Sequence, residues 1–265
     1  MNETDFPLDE YLERIGLGSM VSADEAGLEE LHRAQVYSIP FENFNIILGR
    51  GVSLDPRDLL RKLVLQRRGG YCFELNGLFL LALLHAGFSA RPLLARVHSR
   101  GEPGGRTHQL SLVTAGGRDW IADVGFGSNG LRAPIPFELE RVSDQDGYRY
   151  RLTHAGPFGT MLQLEQEYGW LDLYSFDLGY VSPADIELSN HYTSTHPECF
   201  FTWARVANLP RRTGRVSLMD FALTEIEGKQ ERELELQAGP AYLEALEKYF
   251  GIRLDADYDA LRPVK

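Results

Sequence analysis

A cysteine stands where a glycine-rich segment turns into a predicted helix, in residues 67–77 (Arg-Arg-Gly-Gly-Tyr-Cys-Phe-Glu-Leu-Asn-Gly). The unpaired N–H groups and the dipole of a helix N-terminus stabilise a thiolate, so this position is expected to lower the pKa of the Cys72 thiol. A small buried cysteine that fills space beneath the helix would give the same local sequence. Position alone therefore leaves two interpretations of Cys72 open, a nucleophile and a core residue.

A thiol nucleophile requires a general base, and the base requires a group that orients it. Residues 107–115 and 118–124 flank a Gly-Gly pair, which is a strong signal for a two-residue hairpin. In that hairpin His108 and Asp123 share one sheet face as diagonal neighbours, with Cα atoms about 7–8 Å apart. Taken singly, the first is typical of a core histidine and the second of a strand-end turn. Together with Cys72 they predict a hydrogen bond between His108 and Asp123 and a Cys-His-Asp triad.

The loop that follows Asp123 is rich in glycine, since residues 123–130 are Asp-Val-Gly-Phe-Gly-Ser-Asn-Gly. Glycines let backbone N–H groups approach a phosphate or an oxyanion. An ordinary loop between two strands has the same composition, so the loop by itself identifies no ligand.

Three helices are predicted in the first third of the chain. One begins at a capping-box pattern in residues 22–25 and ends at Pro40. A second begins at Asp55, an N-cap followed by proline, and ends before the Gly-Gly segment that precedes Cys72. The third spans about 72–86 and is apolar on nearly all sides, so we expect it to be buried.

The period of the apolar residues changes to two from about residue 91, in segments 91–98, 107–114, 119–124, 148–153, 161–165 and 170–175. Closely spaced strands with glycine-rich turns predict a small antiparallel barrel or sandwich. After residue 190, strands at 199–206, 215–220 and 222–227 and an amphipathic helix near 241–250 predict an α/β lid or third domain. The fold class is therefore α+β.

The composition excludes several classes of protein. The 265 residues carry a formal net charge of −11 and are 43% hydrophobic, which is typical of a globular chain and not of a fibrous or disordered one. An acidic chain without a Lys/Arg stripe argues against a nucleic-acid partner. Residues 1–10 lack a secretory pattern, and the longest apolar run, 78–84, is far below the roughly 18 residues of a membrane span. We expect a cytoplasmic protein.

Metal chemistry is not expected. The chain has two cysteines, Cys72 and Cys199, and its seven histidines show no paired ligand spacing. A reducing compartment favours two thiols over a disulfide.

Three blocks of the sequence resemble, in order and approximate spacing, the signature blocks of the arylamine N-acetyltransferase family: residues 68–76 (Arg-Gly-Gly-Tyr-Cys-Phe-Glu-Leu-Asn), 107–108 (Thr-His) and 123–127 (Asp-Val-Gly-Phe-Gly). Further matches lie at 39–43 (Ile-Pro-Phe-Glu-Asn) and 194–201, so the resemblance covers nearly the whole chain.

The resemblance implies a particular fold and reaction. The fold is a helical bundle at 1–88 that carries the nucleophile, a central antiparallel β-barrel at 89–190 that carries the histidine and the aspartate, and a C-terminal α/β lid at 191–265, around a cysteine-protease-like catalytic core. The reaction is a ping-pong acyl transfer from acetyl-CoA, through a thioester at the cysteine, to an aromatic amine, hydrazine or hydroxylamine. No metal, nucleic acid or membrane is implied, and a homodimer is left open.

The resemblance also assigns roles to residues. His108 would hold the thiolate of Cys72 as an ion pair and manage the proton of the amine, while Asp123 fixes the imidazole. Glu42 and Arg68 resemble the family's structural ion pair. The aromatic acceptor pocket would be formed by Phe41, Tyr71 and Phe126, for which core packing is the alternative role. Coenzyme A would contact Thr107, Gly127 and Phe201.

Other functions use the same residues. A hydrolase or amidase would let water resolve the acyl-enzyme at Cys72, and a macrolactam-forming amide synthase would use a wider acyl pocket. A binding protein that kept the fold would not need all three of Cys72, His108 and Asp123.

Overall fold

The structure is a computed structural model that describes residues 6–19, 21–98 and 104–264, so the first five residues of the acidic N-terminal stretch lie outside it. Within these ranges there are seven α-helices: α1 (Leu8–Arg14), α2 (Glu25–Ser38), α3 (Phe44–Ile47), α4 (Pro56–Leu59), α5 (Cys72–His85), α6 (Pro183–Thr195) and α7 (Pro240–Phe250). The same ranges contain thirteen strands: β1 (Phe41–Glu42), β2 (Ser89–Val97), β3 (His108–Ala115), β4 (Arg118–Ala122), β5 (Ile135–Pro136), β6 (Ser143–Gln145), β7 (Tyr148–His154), β8 (Thr160–Gln166), β9 (Gly169–Phe176), β10 (Val206–Arg211), β11 (Gly214–Met219), β12 (Ala222–Glu227) and β13 (Gln230–Glu235). None of the helices described is long and apolar enough to cross a membrane.

The helices predicted for the first third are present, with one correction at a cap. Asp24, and not Ser22, is the N-cap of α2, because its side chain is the one that accepts a hydrogen bond from the backbone N–H of Gly27, at 2.9 Å. Asp55 caps α4 as predicted, and this helix continues as a π-helical segment, Leu60–Leu65.

Helix α5 is buried through its middle. It begins at Cys72, and the chain leaves it through Gly87, whose φ of +86° is the left-handed conformation expected after a helix end. The side chains of Leu78, Phe79 and Leu83 have 0% exposure, which confirms the predicted burial. The helix therefore holds its first residue against the protein interior.

The middle of the chain forms a nearly closed antiparallel barrel of eight strands in the order β5-β4-β3-β2-β9-β8-β7-β6. The Gly-Gly turn between β3 and β4 has φ values of +59° and +74°, as a tight hairpin requires, and Ala115 pairs with Arg118 as predicted. Because this register is kept, His108 at the start of β3 lies near Asp123, which follows the end of β4.

The last region contains a five-stranded antiparallel sheet in the order β1-β10-β11-β12-β13. Its first strand comes from the N-terminal third, where Phe41 pairs with Asn208. The strand predicted at 199–206 is wrong, because residues 200–202 form a 3-10 turn and the strand begins only at Val206. That turn brings the rings of Phe200 and Phe201 into contact, with 5.5 Å between ring centres, whereas neighbouring side chains of a strand point to opposite faces.

Several elements were not predicted: helices α1 and α3, strands β1, β5, β6 and β13, and helix α6. The helix begins at a capping box, in which the carboxylate of Asp185 accepts from the N–H of Ser182 at 2.8 Å and the serine hydroxyl accepts from the N–H of Asp185 at 3.3 Å. The boundary expected at residue 190 falls inside this helix. The division into 1–88, 89–190 and 191–265 stays a prediction.

Candidate active site

Cys72 is the first residue of α5 and is 4% exposed. The helix start is fixed by Glu74, whose carboxylate accepts from the N–H of Tyr71 at 3.1 Å and pairs with Lys62 Nζ at 2.7 Å. The Cys72 thiol lies 3.8 Å from the carbonyl oxygen of Thr107. The sulfur therefore faces the beginning of β3.

The position of Cys72 does not by itself make its thiol acidic. Burial raises the pKa of the Cys72 thiol, and a hydrogen bond from the backbone of Gln109 offsets only part of that rise. This corrects the sequence-based expectation of a lowered thiol pKa. The free-energy cost of removing a thiolate from water is larger here than the stabilisation that the helix N-terminus gives to the thiolate. A thiolate at this position needs a neighbouring base that takes the proton.

His108 and Asp123 form the hydrogen bond that the hairpin register predicts, with 2.7 Å between Nε2 and Oδ2. The two residues are 3% and 1% exposed. Burial alone would raise the pKa of the Asp123 carboxyl, but the charge and hydrogen bond of His108, with hydrogen bonds from Asn76 and Gly125, hold it below its usual value. Since Nε2 is engaged by the carboxylate, Nδ1 is the imidazole nitrogen available to a thiol.

Asn76 joins the three elements that carry these residues. Its Nδ2 donates to Gln109 O at 2.7 Å and to Asp123 Oδ1 at 2.9 Å, and its Oδ1 accepts from the N–H of Val124 at 3.0 Å. The reverse orientation of the amide would set like groups against each other, so its position is fixed. Sequence reasoning gave Asn76 no role, although its i+4 spacing from Cys72 places both on one helix face.

His32 on α2 supports the same aspartate from the other side. Its Nε2 lies 3.1 Å from the carbonyl oxygen of Asp123 and 3.2 Å from the nitrogen of the same residue. Burial lowers the pKa of His32 to about 4, so the ring is neutral near pH 7. Nothing in the sequence pattern of α2 distinguishes this histidine from an ordinary core residue.

Two aromatic rings enclose the imidazole of His108. The Phe126 ring lies edge-on, with 5.1 Å between ring centres, and the Tyr174 ring lies tilted at 5.1 Å. They contact each other at 5.0 Å. This arrangement limits rotation of the imidazole and surrounds it with apolar surface. Sequence analysis missed Tyr174, which is one of many inward residues of β9.

The three residues expected to form an acceptor pocket do not line one surface. Phe41 and Phe126 border the same small cavity. Tyr71 does not; it is fully buried, donates a hydrogen bond to Asn190 Oδ1, and packs against Phe201 with 6.0 Å between ring centres. Phe201 also contacts Phe41 at 5.7 Å. Tyr71 therefore packs against Phe201 and does not border this cavity.

The residues expected to contact coenzyme A are arranged as follows. The carbonyl of Thr107 faces the thiol, and Phe201 is half-buried beside Phe41 and Tyr71. Gly127 has a φ of +88°, and no heavy atom lies within 4 Å of the point where a Cβ would stand. The space next to the Cα of Gly127 is therefore open.

A buried network of charges supports the segment before Cys72. The predicted ion pair between Glu42 and Arg68 is confirmed, with 2.7 Å between Nη2 and Oε1 and both side chains buried. Lys62 lies 3.9 Å from Glu42 and links this pair to Glu74. In the part of the chain that the structure describes, no group of three His, Cys, Asp or Glu side chains is placed to hold a metal ion.

Comparison with known proteins shows which family this chain resembles. The model of a family described as N-acetyltransferase matches residues 25–258. The arylamine N-acetyltransferase / N-hydroxyarylamine O-acetyltransferase of Salmonella typhimurium is 37% identical over 231 residues, 85% of this chain and 81% of that protein. The solved structure of the arylamine N-acetyltransferase from Salmonella typhimurium superposes with a TM-score of 0.89 at 34% identity, covering 94% of this chain and 92% of the other. The Mycobacterium marinum arylamine N-acetyltransferase in complex with CoA superposes with a TM-score of 0.87 at 31% identity, covering 92% of each chain.

Proposed function

Because this chain belongs to the arylamine N-acetyltransferase family, we propose that Cys72 accepts an acetyl group from acetyl-CoA and passes it to the nitrogen of an aromatic amine or hydrazine, or to the oxygen of an arylhydroxylamine. The observation that supports this most is the buried 2.7 Å contact between His108 and Asp123 next to the start of the cysteine's helix. In this proposal the helical bundle at 1–88 supplies the nucleophile and the barrel at 89–190 supplies the base. The region 191–265 covers both.

In the first half-reaction the thiol proton of Cys72 moves to Nδ1 of His108, and the sulfur forms a bond to the acetyl carbonyl carbon. The bond from that carbon to the coenzyme A sulfur then breaks, and the leaving thiolate takes the proton back from the imidazolium. Asp123 stays ionised and stabilises the imidazolium that forms between the two transfers. The raised pKa of the thiol is overcome because thiolate and imidazolium arise as a pair.

In the second half-reaction the neutral amine attacks the acetyl thioester of Cys72. Neutral His108 takes a proton from the attacking nitrogen, the bond from the acetyl carbon to the Cys72 sulfur breaks, and the departing thiolate takes that proton from the imidazolium. Weakly basic arylamines suit this step because they are neutral near pH 7. The apolar rings of Phe41 and Phe126 favour a flat aromatic acceptor over water, which distinguishes transfer from hydrolysis.

The proposal extends to the remaining contacts and the cellular setting. Coenzyme A would contact Thr107, Gly127 and Phe201. Tyr71 would support the ring of Phe201 without touching the amine. The location would be cytoplasmic, and the protein would act without a metal, nucleic acid or membrane. The assembly state to test is a homodimer, which sedimentation analysis would detect or exclude.

Intact-protein mass spectrometry tests the reaction directly. After brief incubation with acetyl-CoA alone, we expect one acetyl group on the wild type and on Cys199→Ala, and none on Cys72→Ala. A chase with an aromatic amine should remove the group and yield the amide. If Cys72→Ala still forms the amide, the covalent mechanism is wrong. If the acetyl group is lost to water as fast without amine as with it, the protein is a hydrolase.

A further inference from the structure

Asn208 is a buried amide on β10 that joins two other parts of the protein. It is 1% exposed, and its Nδ2 donates to Ser217 Oγ on β11 at 2.7 Å and to Ser128 Oγ at 2.8 Å. The two serine hydroxyl oxygens lie 3.3 Å apart. These three side chains, called the Asn208 cluster below, therefore tie the glycine-rich loop that follows Asp123 to the C-terminal sheet.

The register of that sheet places the Asn208 cluster beside Phe41. Phe41 pairs with Asn208, and Asn208 pairs with Ser217. Residues directly opposite each other in antiparallel strands project from the same face of the sheet. Phe126 lies two residues before Ser128, and Phe41, Phe126 and Asn208 border the same small cavity. The hydrogen bond from Asn208 to Ser128 thus links the two elements that carry these phenylalanine rings.

The two ends of the glycine-rich loop are held by other groups. The N–H of Gly125 donates to Asp123 Oδ1 at 2.9 Å, and the hydroxyl of Tyr150 donates to the carbonyl oxygen of Gly130 at 2.7 Å. Among the described residues, the hydrogen bonds between this loop and the C-terminal sheet are those of the Asn208 cluster. Breaking the cluster therefore releases the middle of the loop from the sheet and leaves the contacts of Asp123 in place.

We propose that Asn208 is a positioning residue that sets the distance between Phe126 and Phe41, and that this distance determines how tightly the ring of the acceptor amine binds. The inference rests on the proposed function, in which these two rings receive the acceptor. A hydrogen bond restricts the distance and angle between its partners, so the cluster fixes the loop relative to the sheet. Cys72 and His108 are held by bonds outside the cluster, so the acetylation of the thiol does not depend on it.

The experiment separates binding of the ring from the chemistry at the thiol. Asn208→Leu removes both hydrogen bonds from a side chain of similar size, and Ser128→Ala removes the hydroxyl of the loop. In each variant KM for aniline should rise about three- to tenfold, while kcat at saturating aniline stays within about twofold of the wild-type value. Acetylation of Cys72 by acetyl-CoA and transfer to hydrazine, which has no ring, should also stay within about twofold.

Two results would overturn the proposal. One is an unchanged KM for aniline, and the other is an equal loss of acetylation, of transfer to hydrazine and of transfer to aniline, which a purely structural role would give. Ser128→Ala decides the question by itself where Asn208→Leu does not fold. If the wild type fails to acetylate Cys72 or to transfer to hydrazine, the proposed function is contradicted instead.

A double variant and a matched control identify the hydrogen bond responsible. Asn208→Leu and Ser128→Ala remove the same bond, so combining them should raise KM for aniline no more than about twofold above the larger single effect. Effects that multiply would show that the two residues act separately and would overturn the proposal. The control is Asn129→Ala in the same loop, because the side chain of Asn129 has no hydrogen-bond partner among the residues that the structure describes. KM for aniline should be unchanged there, and a rise equal to that of Ser128→Ala would contradict a specific role of the cluster.

Discussion

Replacing Gly125 by alanine would press the loop that carries Asp123 against the start of α5. A Cβ at this position would lie 2.6 Å from Asn76 Nδ2, 3.0 Å from Cys72 Cα and 3.1 Å from Cys72 O. Neither neighbour can move cheaply, because the amide is held by three hydrogen bonds and the other two atoms are backbone. The φ of Gly125 is not in the left-handed region, so the cost is steric alone.

The size of the effect follows from these distances. Lengthening the closest contact from 2.6 Å to an ordinary 3.4 Å shifts the Gly125 loop by about 0.8 Å relative to the helix. Overpacking of this kind lowers the free energy of unfolding by about 1–3 kcal/mol, which for a chain of this length lowers Tm by about 2–12 °C. Because a misplacement near 1 Å can reduce a catalytic rate about 100-fold, acetylation of Cys72 should slow by about 10- to 100-fold.

Two measurements on one preparation test this reasoning. Thermal unfolding gives the change in Tm, and rapid quenching followed by mass spectrometry gives the rate of Cys72 acetylation by acetyl-CoA. The control is Gly18→Ala, where the new Cβ meets nothing within 4 Å and both quantities should be unchanged. If Gly125→Ala matches the wild type in Tm and in acetylation rate, the loop and the helix do not need this close contact.

Three further perturbations address the groups around Cys72. In Asn76→Asp a carboxylate oxygen replaces the Nδ2 group that donates to Asp123, so this hydrogen bond is lost and single-turnover acetylation of Cys72 should slow at least tenfold. A wild-type rate would show that the amide of Asn76 is not needed. In His108→Gln the buried thiol keeps its raised pKa, so alkylation by iodoacetamide near pH 7 should fall and recover only as pH rises. Unchanged alkylation at pH 7 would mean that another group takes the proton. Burial lowers the pKa of His32 to about 4 in the folded protein. As pH falls from about 6.5 towards 4, His32 of the unfolded chain therefore binds a proton that His32 of the folded chain does not, and the free energy of unfolding decreases. Urea unfolding at pH 7 and pH 5 should show the wild type losing about 2 kcal/mol more than His32→Gln, and equal losses would contradict this.

Features set by local sequence chemistry could be predicted. The Gly-Gly turn has a conformation that only a few residue pairs adopt readily, and it fixed the register of β3 and β4 and hence the contact between His108 and Asp123. Helix α5 could also be predicted, because glycines lie before and after it and its apolar run is typical of a buried helix. The capping box that begins α6 is also present in the sequence, but the apolar residues that follow it have too weak a helical period to predict the helix.

Features that depend on distant packing could not be predicted. His32 reaches Asp123 across 91 residues of sequence, and no periodicity reports that contact. The raised pKa of Cys72 is a property of complete burial, which the first residue of a helix does not reveal. Asn208 lies opposite Phe41 only because β10 pairs with β1, and these two strands are far apart in the sequence.

That pairing of β1 with β10 also determines when the protein can finish folding during synthesis. Glu42 pairs with Ala207, so strand β1 waits for a partner that lies 165 residues further along the chain. At about 5–20 residues per second, the ribosome takes roughly 8–33 s to make that stretch. Strand β9, the last strand of the barrel to be made, ends at Phe176, so the barrel that carries His108 and Asp123 can form before β10 has been made. A growing chain that ends between Phe176 and Val206 therefore contains every strand of the barrel but still lacks the β10 partner of β1.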